Sequence, residues 1–433
     1  MTTRPPRSHA PTVRALFVIV ASVALLAGLP LPAAARTEPP TGNRITINAD
    51  NVLLINGRKT FPIGFTLAPP PDSRAPNGKN GLKELADAGA TFMRTGANGG
   101  VDWNEQTISE EQKWEDAAAR YGLYCWPYLR DLASITGQDT PREAMLRKVV
   151  NHFKDHPGFG IWKGADEPEW GKHKIPPLVR ARAIIKELDP NHPLAIIQAP
   201  RGTVQTLRPY NAACDIIGTD IYPISYPPGT HSLLTNKEIS MVGDYTRTMM
   251  ELSDGKMPVW MVLQIAWSGV VKPGKTLRFP TFPEERFMSY QAIINGARGL
   301  VYFGGSINKA MSPEDAKLGW NWSFWNRVLR PVMEEIGNKS PLAPALVAAN
   351  SQLPVKLAGA RDVEFCVREV GSEIFILACK REGATVKVEF SGLLLANCEG
   401  QVMYESPRKV EVTDGKFSDW FGPFEVHVYR FNR

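Results

Sequence analysis

The sequence predicts a (β/α)8 TIM barrel followed by a small all-β sandwich, and three observations predict it. Eight short apolar runs without polar alternation recur about 20 to 45 residues apart. Helix-patterned stretches lie between them. From about Pro344 the texture changes to strands that alternate apolar and polar residues. Unbroken short apolar runs mark parallel strands covered on both faces, and a regular βα alternation of eight units closes into a barrel.

The runs are Phe61–Phe65, Ala90–Arg94, Leu123–Pro127, Phe159–Trp162, Leu194–Ile197, Ile216–Asp220, Val259–Gln264 and Gly299–Phe303. Amphipathic helices are predicted over Gly81–Ala88, Glu110–Tyr121, Pro141–His152, Pro177–Leu188, Tyr245–Ser253, Glu284–Gly296 and Trp322–Ile336. A doubly wound open sheet is the alternative, but no glycine-rich phosphate loop follows any run. Beyond the barrel, Val363–Arg368, Glu373–Cys379, Thr385–Phe390, Lys409–Val412 and Phe424–Phe431 read as short antiparallel strands with one face buried.

The chain start reads as a processing signal. Arg4, Arg7 and Arg14 precede an apolar stretch from Ala15 to Leu29, and Ala33-Ala34-Ala35 supplies small residues for cleavage. The expected organisation is therefore a signal peptide over 1–35, a linker over 36–44, the barrel over 45–340 and the sandwich over 345–433. A secreted or periplasmic protein follows, with no membrane span after cleavage. The 433 residues carry 50 basic and 44 acidic side chains, a net charge of +6, with no dense basic run interleaved with aromatics. A nucleic-acid partner is not supported.

Five cysteines without CxxC spacing make neither a disulfide framework nor a zinc site, although Cys366 and Cys379 on neighbouring predicted strands could pair. No metal and no cofactor is expected: there is no His-Glu-x-x-His, no Gly-x-Ser-x-Gly elbow and no phosphate loop. His152 and His156 near one helix are weak candidates for ligands. Asn321 and Asn338 fit the glycosylation sequon.

In such a barrel the reactive residues stand at the C-terminal ends of the strands. The second run ends in Arg94, and the fourth leads into Asp166-Glu167-Pro168-Glu169-Trp170. The sixth ends in Asp220-Ile-Tyr222-Pro223, and the seventh in Gln264 with Trp267 following. The third run contributes Trp126 and Tyr128, and the eighth Tyr302. Asp166 and Glu167 are adjacent carboxyls with Trp162 and Trp170 near in sequence. A carboxyl beside another carboxylate and against indoles has a raised pKa, as a general acid needs. Exposed aromatics at strand ends suit a carbohydrate, whose C–H faces stack on rings while polar groups bind hydroxyls.

This ordered set resembles the clan A glycoside hydrolases, and the stretch from Pro280 to Phe303 resembles the corresponding region of family 42 β-galactosidases. The resemblance implies that Glu167 is the acid/base and that Asp166 replaces the usual Asn. It implies that Arg94 and Tyr222 support a carboxylate on the seventh strand. That carboxylate is absent: Gln264 stands in the nucleophile's place, and an amide is a poor nucleophile. Three explanations follow. An inverting reaction could use Asp220 or Glu169 as base, which asks for carboxyls about 6.5–9.5 Å apart. The substrate's 2-acetamido group could act instead, oriented by Asp166 and Gln264, in the manner of family 20 hexosaminidases. Or the barrel binds carbohydrate without catalysis.

Overall fold

The computed structural model describes residues 42–97, 100–265, 276–277, 279–304 and 322–433. The signal peptide of 1–35, most of the 36–44 linker, Trp267 and Asn321 lie outside these residues. Three short strands come first: β1 (Ile45–Ile47), β2 (Leu53–Ile55) and β3 (Arg58–Thr60), an antiparallel sheet absent from the sequence reading. Ile45, Leu53 and Ile55 pack with Phe92, Trp126, Ile161 and Trp260, side chains of the barrel interior. The amide of Ile45 donates to Asn191, just before a barrel strand begins. This sheet covers the N-terminal end of the barrel interior.

Seven of the eight apolar runs overlap barrel strands by two residues or more, while the fourth, Phe159–Trp162, leads into a strand that begins at its last residue. The strands are β4 (Ile63–Phe65), β5 (Phe92–Gly96), β6 (Tyr124–Tyr128), β7 (Trp162–Asp166), β8 (Leu194–Gln198), β9 (Ile216–Ile221), β11 (Val259–Gln264) and β13 (Gly299–Phe303). They pair in parallel and close β13 onto β4. A ribbon of β10 (Ser225–Tyr226) and β12 (Thr276–Leu277) lies in the loops after β9 and β11. The helices are α1 (Gly81–Asp87), α2 (Glu105–Tyr121), α3 (Thr140–Phe153), α4 (Ile175–Leu188), α5 (Val204–Leu207), α6 (Met241–Ser253) and α7 (Phe282–Ile294). Helix α2 starts five residues before its predicted start because Asn104 caps it, accepting from the Thr107 amide at 3.0 Å. The closing helical stretch from Trp322 to Ile336 holds a π-turn over Trp325–Leu329. Among the described residues no helix is long and apolar enough to cross a membrane.

The C-terminal part has two antiparallel sheets. The smaller holds β14 (Lys356–Ala358), β17 (Val386–Ser391) and β20 (Lys416–Phe421). The larger holds β15 (Val363–Val370), β16 (Glu373–Lys380), β18 (Cys398–Met403), β19 (Arg408–Val412) and β21 (Val426–Asn432). Strand β16 departs from the predicted half-buried pattern, being buried on both faces. Ile374, Ile376 and Ala378 enter the sandwich core, while Phe375, Leu377 and Cys379 join the barrel's outer core. The partner there is α7, buried from Glu285 to Ile294, with Phe287 edge-on to Phe424 at 5.1 Å. Arg286 ties the joint by donating to Glu335 at 2.8 Å and to the Val426 carbonyl at 2.7 Å. The Cys366–Cys379 pairing is not made. In the register Cys366 faces Leu377 and Cys379 faces Glu364, and all five thiols are free.

Candidate active site

The C-terminal end of the barrel holds a cavity of about 200 Å³ lined by Arg94, Trp126, Lys163, Asp166, Glu167, Asp220 and Tyr222, with Thr66, Ile197, Val262 and Phe303 beside them. Strand direction explains much of the gathering: Asp166, Glu167, Asp220 and Tyr222 lie at or just past strand ends, while Arg94 and Lys163 reach the cavity from within β5 and β7. The β7 contribution needs one further device. The register with β8 shifts between Lys163 and Asp166, and Glu167 takes a left-handed φ of +45°. A bulge re-aims side chains, and a non-glycine residue at positive φ carries strain that the surroundings must hold. Here the Glu167 amide donates to Ile197 at 2.7 Å and its carbonyl accepts from Gly171 at 2.8 Å. Consecutive carboxyls thereby face one cavity, which an unbroken strand would have sent to opposite sides.

The two carboxyls are driven apart electrostatically. Burial alone would raise Asp166. Lys163, whose Nζ lies 2.6 Å from Oδ1, and Arg94 outweigh it, and the carboxyl sits below its ordinary range. Glu167 is raised, by burial first and by the Asp166 charge second, against a lowering hydrogen bond with Asp220. Asp220 is raised well above the usual range by burial, Glu167 and Asp166, while the Tyr222 hydroxyl donates to it and opposes the rise. Glu167 and Asp220 titrate as a pair, and the pair retains a proton well above the usual carboxylate range.

Aromatic rings fix these groups. Tyr222 is stacked between His231 at 4.4 Å and Phe303 at 5.2 Å. Lys163 lies over the Tyr128 ring at 4.5 Å, and burial first, then Asp166, pushes the Tyr128 phenol up to about 12. Burial lowers Lys163 itself, with Asp166 opposing. Glu167, Asp220 and His231 each bring one potential metal-ligating atom within 4.8 Å of the others. Carboxylates with an imidazole suit a borderline divalent ion, though such an ion would take the same oxygens that hold the proton.

Four sequence expectations need correction. Trp162 does not wall the site: it is buried outside the barrel ring, its indole donating to Asp189 at 2.8 Å. Tyr302 likewise faces outward, bonded to Ser289 at 2.8 Å. Gln264 reaches the right end of β11, but its amide is engaged with the Ile224 backbone, accepting at 3.0 Å and donating at 2.9 Å. Asp220 brings a carboxylate oxygen within 4.8 Å of one of Glu167, nearer than the roughly 6.5–9.5 Å of an inverting pair, and Glu169 turns away to Lys172 at 2.8 Å. Trp170 is 52% exposed on the rim, under the Arg201 guanidinium at 4.6 Å. His152 and His156 bond to Gln112 and Asp116 on the helix layer. Sequence reading missed Lys163 and His231. A lysine directly after Trp162 in an apolar run was the available signal for the first; nothing local marked the second.

No family model matches the chain, and no curated protein does. Solved structures do. A glycoside hydrolase family 5 protein from Bacteroides vulgatus aligns over 91% of this chain and 95% of its own, at 13% identity and a TM-score of 0.59. A structure described as a glycoside hydrolase covers 91% and 98% at 13% identity and TM-score 0.57. An α-amylase from Geobacillus thermoleovorans, complexed with acarbose, covers 87% and 100% at 9% identity and TM-score 0.55. At these identities the likeness is one of fold: a parallel eight-stranded barrel shared with glycoside hydrolases.

Proposed function

We propose that the chain is an exported glycoside hydrolase in which Glu167 is the general acid. One observation carries this reading: two carboxyls adjacent in sequence meet one cavity and are shifted in opposite directions, Asp166 downward by Lys163 and Arg94 against its burial, and Glu167 upward by burial and the Asp166 charge. Paired titratable groups pushed apart by their surroundings are the usual basis of an acid and an electrostatic partner. The glycosidase fold of the structural neighbours and the clan A resemblance support it.

The route after protonation is narrowed by geometry. A covalent path through β11 lacks support because Gln264 is an amide bonded to Ile224. Asp220 as the base of an inverting pair lacks support because its carboxylate comes within 4.8 Å of Glu167 instead of standing about 6.5–9.5 Å away. Asp166 remains, anionic and beside the acid, able to stabilise positive charge at the anomeric carbon or to orient a 2-acetamido group. The same amide at position 264 favours a second reading, a barrel that binds carbohydrate without cleaving it.

A panel of galactosides, glucosides and N-acetylhexosaminides, with NMR of the first-formed anomer, separates these. Hydrolysis with retention on 2-acetamido sugars alone is the outcome expected of substrate assistance. Binding with no turnover on any member would leave the non-catalytic reading.

A further inference from the structure

Three residues that line the cavity carry donors: Lys163, Arg94 and Trp126. Lys163 has an anion in Asp166 at 2.6 Å. Arg94 makes no hydrogen bond or ion pair among the described residues. Its contact is the face of Tyr128, 5.6 Å from the ring centroid, and its Nε is sealed from solvent. Trp126 is 1% exposed, and its Nε1 has no acceptor either. Arginine stays charged in any protein environment and presents five donors in a planar fork. Only Nε is sealed, so the rest of the half-buried fork opens to the cavity, and a guanidinium presented this way is matched to an anion that enters it.

The clan resemblance says which protein anion Arg94 would otherwise serve, the carboxylate at the end of β11. In this chain that position is Gln264, neutral and turned to the Ile224 backbone. The other charges do not repel an anion. Asp166 is paired with Lys163, and burial and mutual repulsion push Glu167 and Asp220 toward their neutral forms. The cavity of about 200 Å³ has room for a sugar ring.

We infer that the sugar bound in this cavity is acidic, its own ring carboxylate seated on the Arg94 fork beside Lys163 and the Trp126 N–H. The inference rests on the carbohydrate reading of the site and names its substrate class: a hexuronic acid or a 2-ulosonic acid, which present the same carboxylate from different ring positions. Arg94 is the specificity-determining residue.

Isothermal titration of the full mature chain with glucuronic, galacturonic and N-acetylneuraminic acids, against glucose and galactose, tests it. At least one acid should bind about 10- to 100-fold more tightly than the neutral sugars, the scale of hydrogen bonds to a charged group. The preference should weaken with added salt. Which acid it is tells the two carboxylate positions apart. In Arg94→Gln the preference should vanish while the melting temperature changes little, since what is lost is the Tyr128 ring contact and an attraction to Asp166 rather than a hydrogen bond. Equal affinity for acidic and neutral sugars would overturn the inference and leave the glycosidase reading standing. So would tighter binding of galactose 6-sulfate than of every carboxylate sugar, or a preference kept in Arg94→Gln. Failure of all sugars to bind would remove both readings together.

Discussion

Strand β5 has a proton-holding carboxyl group on each side, and the two differ in what surrounds them. On the inner side Arg94 faces the cavity with Asp166, Glu167 and Asp220. On the outer side Thr95 and the amide of Gly96 donate to Glu111 at 2.6 and 2.7 Å, and Glu115 and Cys125 complete a cluster within 4.8 Å. Gly96 has a φ of +82°, and a Cβ there would lie 2.5 Å from the Tyr128 amide, so the turn that aims this N–H needs glycine. Burial pushes Glu111 up to about 7, and burial with the Glu111 charge pushes Glu115 well up. Cys125 is raised by the same causes.

The outer cluster is sealed. Glu111 is 2% exposed and Glu115 and Cys125 are at 0%, and every shift favours the neutral form. The inner group opens to a cavity, and its cations split the carboxyls, one down and a pair up. A perturbed pKa marks a place where charge is hard to hold. It marks a reaction site only when neighbours are driven in opposite directions and something can reach them. Two acids of α2 spaced one helical turn apart look as suggestive in the sequence as Asp166-Glu167, yet the fold isolates them.

The largest effect should separate the two groups by activity. Glu167→Gln is expected to lower turnover of a natural glycoside about 10²- to 10⁴-fold, and less for an aryl glycoside whose leaving group needs no proton. Glu111→Gln should leave turnover near wild type. Steady-state kinetics on both substrates check this, and wild-type turnover by Glu167→Gln would move the acid elsewhere.

The next effect is on stability. Glu111 has a higher pKa folded than unfolded, so folding favours its protonated form. Stability should therefore be greatest near and below the ordinary value of 4.5 and decline as pH rises through about 7. By linkage that decline is on the order of 3 kcal/mol. Glu115→Gln removes the like charge and supplies an amide donor to Glu111, so it should raise the melting temperature at pH 8 and change little at pH 5. Calorimetry across that range decides it; a variant less stable at pH 8 would mean that the cluster is held by something other than protons.

The smallest effect concerns the coupling within the cavity. Asp166 raises Glu167, so Asp166→Asn should move the alkaline limb of the kcat/KM profile to lower pH. An unmoved limb would show that burial alone sets the acid.

Much of this was legible because the strongest signals are local. An unbroken apolar run such as Val259–Leu263 has no polar face to show solvent, so it is a buried strand in any context. Eight such runs with helices between them leave little choice of architecture. Strand ends then point to Arg94, Asp166, Glu167, Asp220 and Tyr222. What local pattern could not supply is the side a residue faces. Both sides of a barrel strand are apolar, so Trp126 inside and Trp162 outside look alike, and Tyr302 is buried against α7 rather than substrate. The β16 strand shows the same limit: its second buried face exists because α7 covers it. The bulge at Lys163–Asp166 is likewise a tertiary outcome, since it depends on the pairing with β8. By itself the sequence determined the order of strands and helices and the carboxyls at their ends, because hydrophobic periodicity and strand direction are properties of short segments. The tertiary structure alone decided which carboxyls touch, which cation has an anion and which tryptophan meets the cavity, because distance and desolvation arise only when remote segments pack.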